Sequence, residues 1–173
     1  NYVQEALEKM QLLVDLRGQI EWHLIGPLQS NKARAVAAHF DWVHTVDRLK
    51  VAERLSALRP EGLPPLQVCL QVNVSGELSK SGVEPGDTLA LAQAVAALPR
   101  LHLRGLMAIP EPLGDFAAQR APHHALARLL FDLNASGLAL DTLSMGMSAD
   151  LEAAVAEGAT IVRVGSAIFG ERT

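Results

Sequence analysis

Apolar positions along the chain follow two different spacings, and the places where the spacing changes divide the sequence into short segments. Apolar residues three or four apart predict amphipathic helices, whereas short β-branched runs predict strands. The strongest strand signal covers residues 66–74, which are nearly continuously apolar, as in parallel sheets that are covered on both faces. The same criteria predict six strands, which cover residues 21–26, 42–46, 66–74, 101–109, 140–145 and 161–164.

Each predicted strand is preceded by a predicted helix. The helices cover residues 3–16, 30–40, 47–58, 85–98, a segment that begins at 115 or 122 and ends at 134, and 148–156. Ser30 and Asp47 have the residue type and the position of helix N-caps. Regular alternation of helix and strand, with loops of a few residues, indicates βα units and a parallel sheet.

Two α/β architectures fit this alternation, an open doubly wound sheet and a (β/α)8 TIM barrel. The Gly-x-Gly-x-x-Gly turn of a dinucleotide-binding sheet follows none of the predicted strands. Six strands are two fewer than a closed barrel has, and such barrels are usually longer than about 200 residues. We therefore expect residues 1–173 to form a single, incomplete barrel domain whose first strands precede Asn1.

The composition favours a folded protein of a reducing compartment. Of the 173 residues, 49% are apolar, which is ample for a buried core and excludes a disordered chain. The net charge of −4 argues against non-specific binding to nucleic acid, and no apolar run approaches the ~18 residues that span a bilayer. Cys69, the single cysteine, cannot form an internal disulfide. The amino terminus does not have the layout of a signal peptide, so we expect a cytoplasmic location and no membrane partner.

Small polar residues after the last two strands point to an anion site. In barrels of this type the site lies at the carboxyl ends of the strands, and phosphate often binds after strands seven and eight. Ser148 follows the fifth predicted strand and opens a helix, while Gly165 and Ser166 follow the sixth. An N-cap serine and a structural glycine turn explain the same residues without a ligand. Asp150 and Glu152, in the first helical turn, would repel an anion.

Arg163 and two histidines lie inside predicted strands. A buried guanidinium requires a partner, and because no acid is adjacent in sequence, that partner is a distant carboxylate or a ligand acceptor. His23 and His44 are either site residues or hydrogen-bonded core histidines, and the sequence favours the second interpretation. His123 and His124 lack the i, i+4 spacing of a metal-binding pair, so we expect a solvated helix face and no metal site.

Ordered motifs spread over essentially the whole chain resemble those of the pyridoxal phosphate homeostasis (YggS/PROSC) family. They lie at residues 22–32 (WHLIGPLQSNK), 44–48 (HTVDR), 71–74 (QVNV) with 79–82 (SKSG), 105–108 (GLMA), 143–148 (LSMGMS) and 162–170 (VRVGSAIFG). The resemblance implies the barrel of the alanine racemase N-terminal domain, without the second domain of such racemases. It also implies binding of pyridoxal 5′-phosphate, no catalytic turnover, and a role in vitamin B6 and amino-acid homeostasis.

Carried over residue by residue, the resemblance assigns six cofactor-binding positions. They are Asn1, Met145, Ser148, Arg163, Gly165 and Ser166. The two serines and Gly165 would hold the phosphate, Arg163 would face the pyridine nitrogen, Asn1 would lie beside the ring, and Met145 would line the pocket. The family's Schiff-base lysine belongs to the first strand, upstream of Asn1, so no catalytic residue is assigned in this chain. The four lysines that are present lie in predicted helices or loops.

Two other functions stay open at this point. A racemase or decarboxylase of the same fold would use the same cofactor, but it needs an acid or base from a second domain or a partner chain. A barrel enzyme acting on a sugar phosphate would need a carboxylate or lysine at a strand end, and the sequence offers no convincing one. For the leading hypothesis we expect a monomer whose partners are the cofactor and the apo-enzymes that receive it.

Overall fold

The computed structural model describes residues 2–75, 81–111 and 113–170, and strands alternate with helices throughout this part of the chain. The strands are β1 (His23–Leu24), β2 (Trp42–Val46), β3 (Leu66–Gln71), β4 (Leu101–Met107), β5 (Thr142–Met147) and β6 (Ile161–Arg163). The α-helices are α1 (Val3–Leu12), α2 (Ala33–His39), α3 (Leu49–Leu58), α4 (Thr88–Ala96), α5 (Phe116–Ala135), α6 (Leu151–Ala156) and α7 (Ser166–Phe169). Short 3-10 turns cover Val14–Leu16, Ser30–Lys32 and Pro85–Asp87.

All six strands belong to one parallel sheet. Their order is β1-β2-β3-β4-β5-β6, and each strand pairs with the next one along the chain. The predicted six parallel strands are therefore confirmed. A doubly wound sheet reverses its strand order halfway, whereas a barrel sheet does not, so the sequential order removes the open doubly wound alternative.

The sheet is curled, and one side-chain contact demonstrates this. β2 and β5 are three strand spacings apart, which corresponds to about 14 Å in a flat sheet. Side chains on one face of a flat sheet would keep that separation. In the structure, His44 Nδ1 on β2 lies 2.8 Å from Ser144 Oγ on β5, which requires a strongly concave face. The structure thus contains a curled six-stranded half-barrel, and a closed barrel with eight strands stays a prediction.

Apolar side chains cover both faces of the sheet, as the continuous apolar strands predicted. On the convex face, strand residues such as Val68 and Leu106 join helix residues such as Leu55, Val95 and Leu126 in the main core cluster. On the concave face, a smaller cluster is formed by Trp42, Cys69 and Met107. Burial raises the pKa of the Cys69 thiol to about 12, which fits the predicted role of a small core residue.

Two element boundaries near the site differ from the prediction. α3 begins at Leu49 with Arg48 as its N-cap residue and no side-chain cap, so the predicted cap at Asp47 is wrong. β5 begins at Thr142, two residues later than predicted. The Asn134 side chain accepts from the Leu140 N–H at 2.7 Å and donates to the Leu140 carbonyl at 2.8 Å. These bonds occupy the backbone groups that would otherwise extend the strand.

Candidate functional site

A cavity of about 810 Å³ opens at the carboxyl ends of β5 and β6. Ser148 lines it from the β5–α6 loop, Arg163 from the end of β6, and Gly165 and Ser166 from the start of α7. His23 borders the same cavity from β1. Because all strands of a parallel sheet end on one edge, this edge is where α/β proteins carry their ligands. The structure brings four of the predicted cofactor positions together here.

Two serine hydroxyls meet at the wall of this cavity. Ser166 Oγ lies 3.4 Å from Ser148 Oγ, although the residues follow different strands. Both hydroxyls can rotate, so both can donate to one anion placed between them. This proximity of two hydroxyls fits the arrangement that the anion interpretation requires.

No neighbouring atom requires residue 165 to be glycine. A Cβ atom built on Gly165 would meet nothing within 4 Å. The backbone at this point therefore borders open space at the cavity. A glycine with room beside it allows a ligand to approach the main chain closely, which is a common reason for glycine in phosphate-binding turns.

Asp150 is directed away from the serine pair. Its Oδ1 accepts from the Met147 N–H at 2.6 Å, and its Oδ2 lies 2.9 Å from Nε2 of His123 on α5. The carboxylate that argued against an anion site is thus used to hold the β5–α6 loop against the core. His123 is fully buried, so the predicted solvated position is wrong for it, whereas the side chain of His124 is 71% exposed.

Arg163 is held by two neutral groups, one on β5 and one directly after β4. It donates through one terminal nitrogen to Ser144 Oγ at 3.0 Å and through the other to the Ala108 carbonyl at 2.8 Å. Neither partner is the distant carboxylate that the sequence offered as one alternative, and a ligand acceptor for Arg163 stays a prediction. Burial lowers the pKa of Arg163 from its ordinary value, although the Asp150 carboxylate acts in the opposite direction. The guanidinium nevertheless stays charged at neutral pH, because an arginine side chain does not lose its proton in proteins.

A chain of hydrogen bonds connects both predicted strand histidines to Arg163. His23 Nδ1 lies 2.8 Å from His44 Nε2, and His44 Nδ1 lies 2.8 Å from Ser144 Oγ. His44 is fully buried, and this burial, with smaller effects from His23 and Arg163, lowers its pKa to about 3. Burial also lowers the pKa of His23, against the attraction of Glu21. Both are hydrogen-bonded histidines, as the sequence favoured, and His23 also belongs to the site.

The Trp42 indole packs against His23, at one end of this hydrogen-bond chain. The His23 imidazole stacks on its indole with ring centroids 5.2 Å apart and planes at 7°. The Arg104 guanidinium lies over the same indole, 4.9 Å from the centroid. The Trp42 Nε1–H is buried and has no hydrogen-bond partner among the described residues. Sequence reasoning did not find this layer, because its members come from three strands.

Met145 does not line the cavity. It is fully buried in the main core between the sheet and the helices, and Met147 lines the cavity in its place. The β5–β6 register shifts between Ser144 and Met147, so strict alternation of faces fails there. Gly146, with a φ of +89°, lies at this irregularity, and a glycine inside a strand is the signal that could have indicated it.

The other predictions about the site concern residues at its margins. Asn1 lies outside the described residues, as does Lys80. Lys9 belongs to α1, Lys50 to α3 and Lys32 to a 3-10 turn, as predicted, and the cavity lining contains no lysine among the described residues. Within the same residues there is no cluster of side chains that could hold a metal ion. Their helices are also too short or too polar to cross a membrane.

Comparison with known proteins identifies the family. The model of the alanine racemase N-terminal domain family matches residues 1–173. A pyridoxal phosphate homeostasis protein of Pseudomonas aeruginosa is 65% identical over 99% of this chain and 73% of its own length. The chain belongs to the pyridoxal phosphate homeostasis protein family. Another relative with this name, from Escherichia coli K12, is 53% identical over 99% of the chain and 74% of its own length.

A solved member of this family has the same fold. PipY of Synechococcus elongatus PCC7942, whose structure contains bound pyridoxal phosphate, is 41% identical and superposes with a TM-score of 0.87. The match covers 98% of this chain and 79% of PipY. The fold of the chain is therefore that of the alanine racemase N-terminal domain, here with six parallel strands.

Proposed function

We propose that the chain binds pyridoxal 5′-phosphate in the cavity at the ends of β5 and β6, and that it serves pyridoxal phosphate and amino-acid homeostasis without catalytic turnover. One observation carries the proposal: the Ser148 and Ser166 hydroxyls meet 3.4 Å apart at the wall of a cavity that Arg163 also lines. An anionic group fits the hydroxyl pair, and a ring with an acceptor atom fits the guanidinium. The printed names of the relatives, and the cofactor bound to PipY, support the same ligand.

The residues present fit this cofactor. A cavity of about 810 Å³ lies within the range of small-molecule sites, roughly 300–1,000 Å³. Gly165 leaves open space where a phosphate could approach the backbone. The Asp150 carboxylate accepts from the Met147 N–H and lies beside His123, and its charge also acts on Arg163.

The residues of the chain would have distinct roles toward the cofactor. Ser148 and Ser166 donate hydrogen bonds to the phosphate oxygens, and Gly165 lets the backbone come close. Arg163, which stays charged, faces the ring nitrogen and disfavours protonation of that atom. Bound pyridoxal phosphate supplies an aldehyde and a ring that acts as an electron sink when its nitrogen is protonated. A cationic partner at the nitrogen would therefore weaken the ring as an electron sink.

The described lining of the cavity offers few groups for the acid–base chemistry of a racemase or decarboxylase. Among the described residues, no aspartate, glutamate, lysine or tyrosine lines it, and His23 is its one imidazole. Racemisation needs an acid and a base on opposite sides of the reacting carbon.

As parts of the same proposal, the six strands belong to a closed eight-stranded barrel of one domain, and the protein is a cytoplasmic monomer that delivers cofactor to apo-enzymes.

Equilibrium titration of two ligands against one double variant tests the proposal. Charge-assisted hydrogen bonds contribute about 1.5–3 kcal/mol each, so Ser148→Ala with Ser166→Ala should weaken pyridoxal phosphate binding by at least about 100-fold. Pyridoxal, which has no phosphate, should bind the double variant and the unchanged chain almost equally. Ser136→Ala, an exposed serine at the end of α5, is the matched control and should change neither affinity. Equal weakening of both ligands would mean that the serines are structural caps.

A further inference from the structure

The hydrogen-bond chain on the concave face has a defined direction, and Arg163 sets it. A guanidinium donates and never accepts, so Ser144 Oγ is the acceptor in its 3.0 Å contact with Arg163. The hydroxyl proton of Ser144 then needs an acceptor of its own. His44 Nδ1, 2.8 Å away, is the acceptor that the structure places there.

The positions of the remaining protons follow from the assignment of the Ser144 proton. If His44 Nδ1 accepts, the neutral imidazole carries its proton on Nε2 and donates it to His23 Nδ1 at 2.8 Å. His23 then carries its own proton on Nε2, which points toward the exposed Glu21 carboxylate, 3.9 Å away. The Ser144 hydroxyl and the His44 Nε2–H both have acceptors within hydrogen-bond distance in this arrangement. In the reverse arrangement His44 Nδ1–H donates to Ser144, and the serine proton loses its acceptor in a buried place.

Burial of His44 supports the same arrangement. The side chain is fully buried, and its low pKa of about 3 keeps it neutral at physiological pH. A neutral imidazole has one donor and one acceptor, so it can accept from Ser144 and donate to His23 at once. A charged imidazole would have two donors and could not accept the serine proton.

These hydrogen bonds determine the orientation of the Arg163 guanidinium. An arginine side chain has many rotamers, and its planar head is fixed only when separate nitrogens are held. Here one nitrogen is held by the Ala108 carbonyl and the other by Ser144 Oγ. The serine hydroxyl is itself free to rotate unless His44 takes its proton. The orientation of the guanidinium therefore depends on His44, a side chain on β2 that is far from Arg163 in the sequence.

We propose that His44, through Ser144, is a positioning residue that aims Arg163 at the ring nitrogen of bound pyridoxal phosphate, with His23 completing the chain at the cavity. The proposal rests on the proposed function, since it assumes that the ring lies beside Arg163. None of the three residues is catalytic in this assignment. They act through the arginine, and they fix which hydrogen-bond acceptor the cavity recognises at this position.

Nitrogen-15 NMR of the ligand-free protein tests the direction of the hydrogen-bond chain. We expect both His23 and His44 to be neutral with the proton on Nε2, and the Arg163 guanidinium nitrogens to give separate, slowly exchanging signals. In Ser144→Ala the Arg163 signals should merge through faster rotation, and in Ser144→Thr, which keeps the hydroxyl, they should stay separate. A proton on Nδ1 of His44, or Arg163 signals that Ser144→Ala leaves unchanged, would overturn the assignment.

Binding measurements test how the hydrogen-bond chain affects the affinity for the ligand. The probes are pyridoxal phosphate and its analogue in which C–H replaces the ring nitrogen. We expect Ser144→Ala to weaken pyridoxal phosphate about tenfold, to shift its absorption band, and to leave the analogue almost unchanged. Thr142→Val, which removes a neighbouring buried hydroxyl bound to Asp141, is the matched control and should affect neither ligand.

The outcomes separate this inference from the proposed function. Equal weakening of both ligands by Ser144→Ala, or weakening of neither, would refute the positioning role while pyridoxal phosphate binding stands. Failure of the unchanged chain to bind either ligand would refute the proposed function, and the ring-directed role of Arg163 with it. The NMR result on the ligand-free chain then decides whether the hydrogen-bond chain exists with the stated direction.

Discussion

His44 should make the protein lose stability as the pH falls from 7.5 to 5. Its pKa is about 3 in the folded chain, whereas an unfolded histidine titrates near 6.5. Because the folded pKa is depressed, the stabilisation is fully present above pH 6.5 and is lost as the pH falls toward 3. At pH 5 the unfolded side chain is mostly protonated and the folded one is not. Linkage then gives a loss of about 2 kcal/mol from this residue alone.

Urea unfolding of the chain and of His44→Phe, each at pH 7.5 and at pH 5, measures this loss. The variant should have a lower free energy of unfolding at pH 7.5, because Ser144 and His23 lose a partner, but its pH dependence should be flatter by about 2 kcal/mol. The pKa of His23 is also lowered by burial, so its contribution has the same sign. Paired carboxylates contribute little in this range, because their unfolded pKa values are about 4.

The matched control is His102→Gln, which removes an exposed histidine of β4. This variant should keep the pH dependence of the unchanged chain. If His44→Phe and the unchanged chain lost the same free energy between pH 7.5 and 5, His44 would titrate normally in the folded state. The neutral, donor-and-acceptor role assigned to it would then be wrong.

Two further substitutions test the sheet and the loop beside the site. A Cβ at Gly105 would overlap the backbone carbonyl of the neighbouring β5, so Gly105→Ala should lower the free energy of unfolding by more than about 3 kcal/mol. A Cβ at Gly62 would meet nothing within 4 Å, so Gly62→Ala should change the free energy of unfolding by less than about 0.5 kcal/mol. Urea titrations of both variants measure these changes. Asp150→Ala removes the acceptor of the Met147 N–H and the partner of buried His123. We expect a loss of about 2–4 kcal/mol and faster hydrogen exchange at the Met147 amide, and an unchanged exchange rate would contradict the holding role of Asp150.

The order of the strands and the serine pair could be predicted from the sequence, because both depend on local signals. Alternating helix and strand signals imply βα units, and parallel units put the ends of successive strands on one edge. Ser148 and Ser166 follow neighbouring strands, so their approach to 3.4 Å follows from topology. The sequence also identified Arg163 as a buried cation that needs partners.

The hydrogen-bond chain could not be predicted in the same way. His44 and Ser144 lie 100 residues apart and meet only because the sheet curls. Curl is the sum of small twists between neighbouring strands, and no single segment of sequence records it. The exchange of Met147 for Met145 in the cavity has a similar origin, since it depends on an irregularity in the β5–β6 register.

The buried position of His123 was missed for a different reason. His123 shares a face of α5 with Leu126 and Leu133, and all three are buried. The spacing of these residues, three and ten positions along a helix, is a signal for a buried face that the comparison with metal-binding pairs did not use. The adjacent His124 points to the other side and pairs with Glu157 at 2.9 Å.

A crystal structure of the chain with pyridoxal phosphate tests the central claim most directly. The account predicts phosphate oxygens within hydrogen-bond distance of both Ser148 Oγ and Ser166 Oγ, close to the backbone of Gly165. It also predicts the ring nitrogen as an acceptor for Arg163, whose bonds to Ser144 and the Ala108 carbonyl persist. A phosphate bound elsewhere, with both serine hydroxyls bonded only to protein or water, would contradict the account.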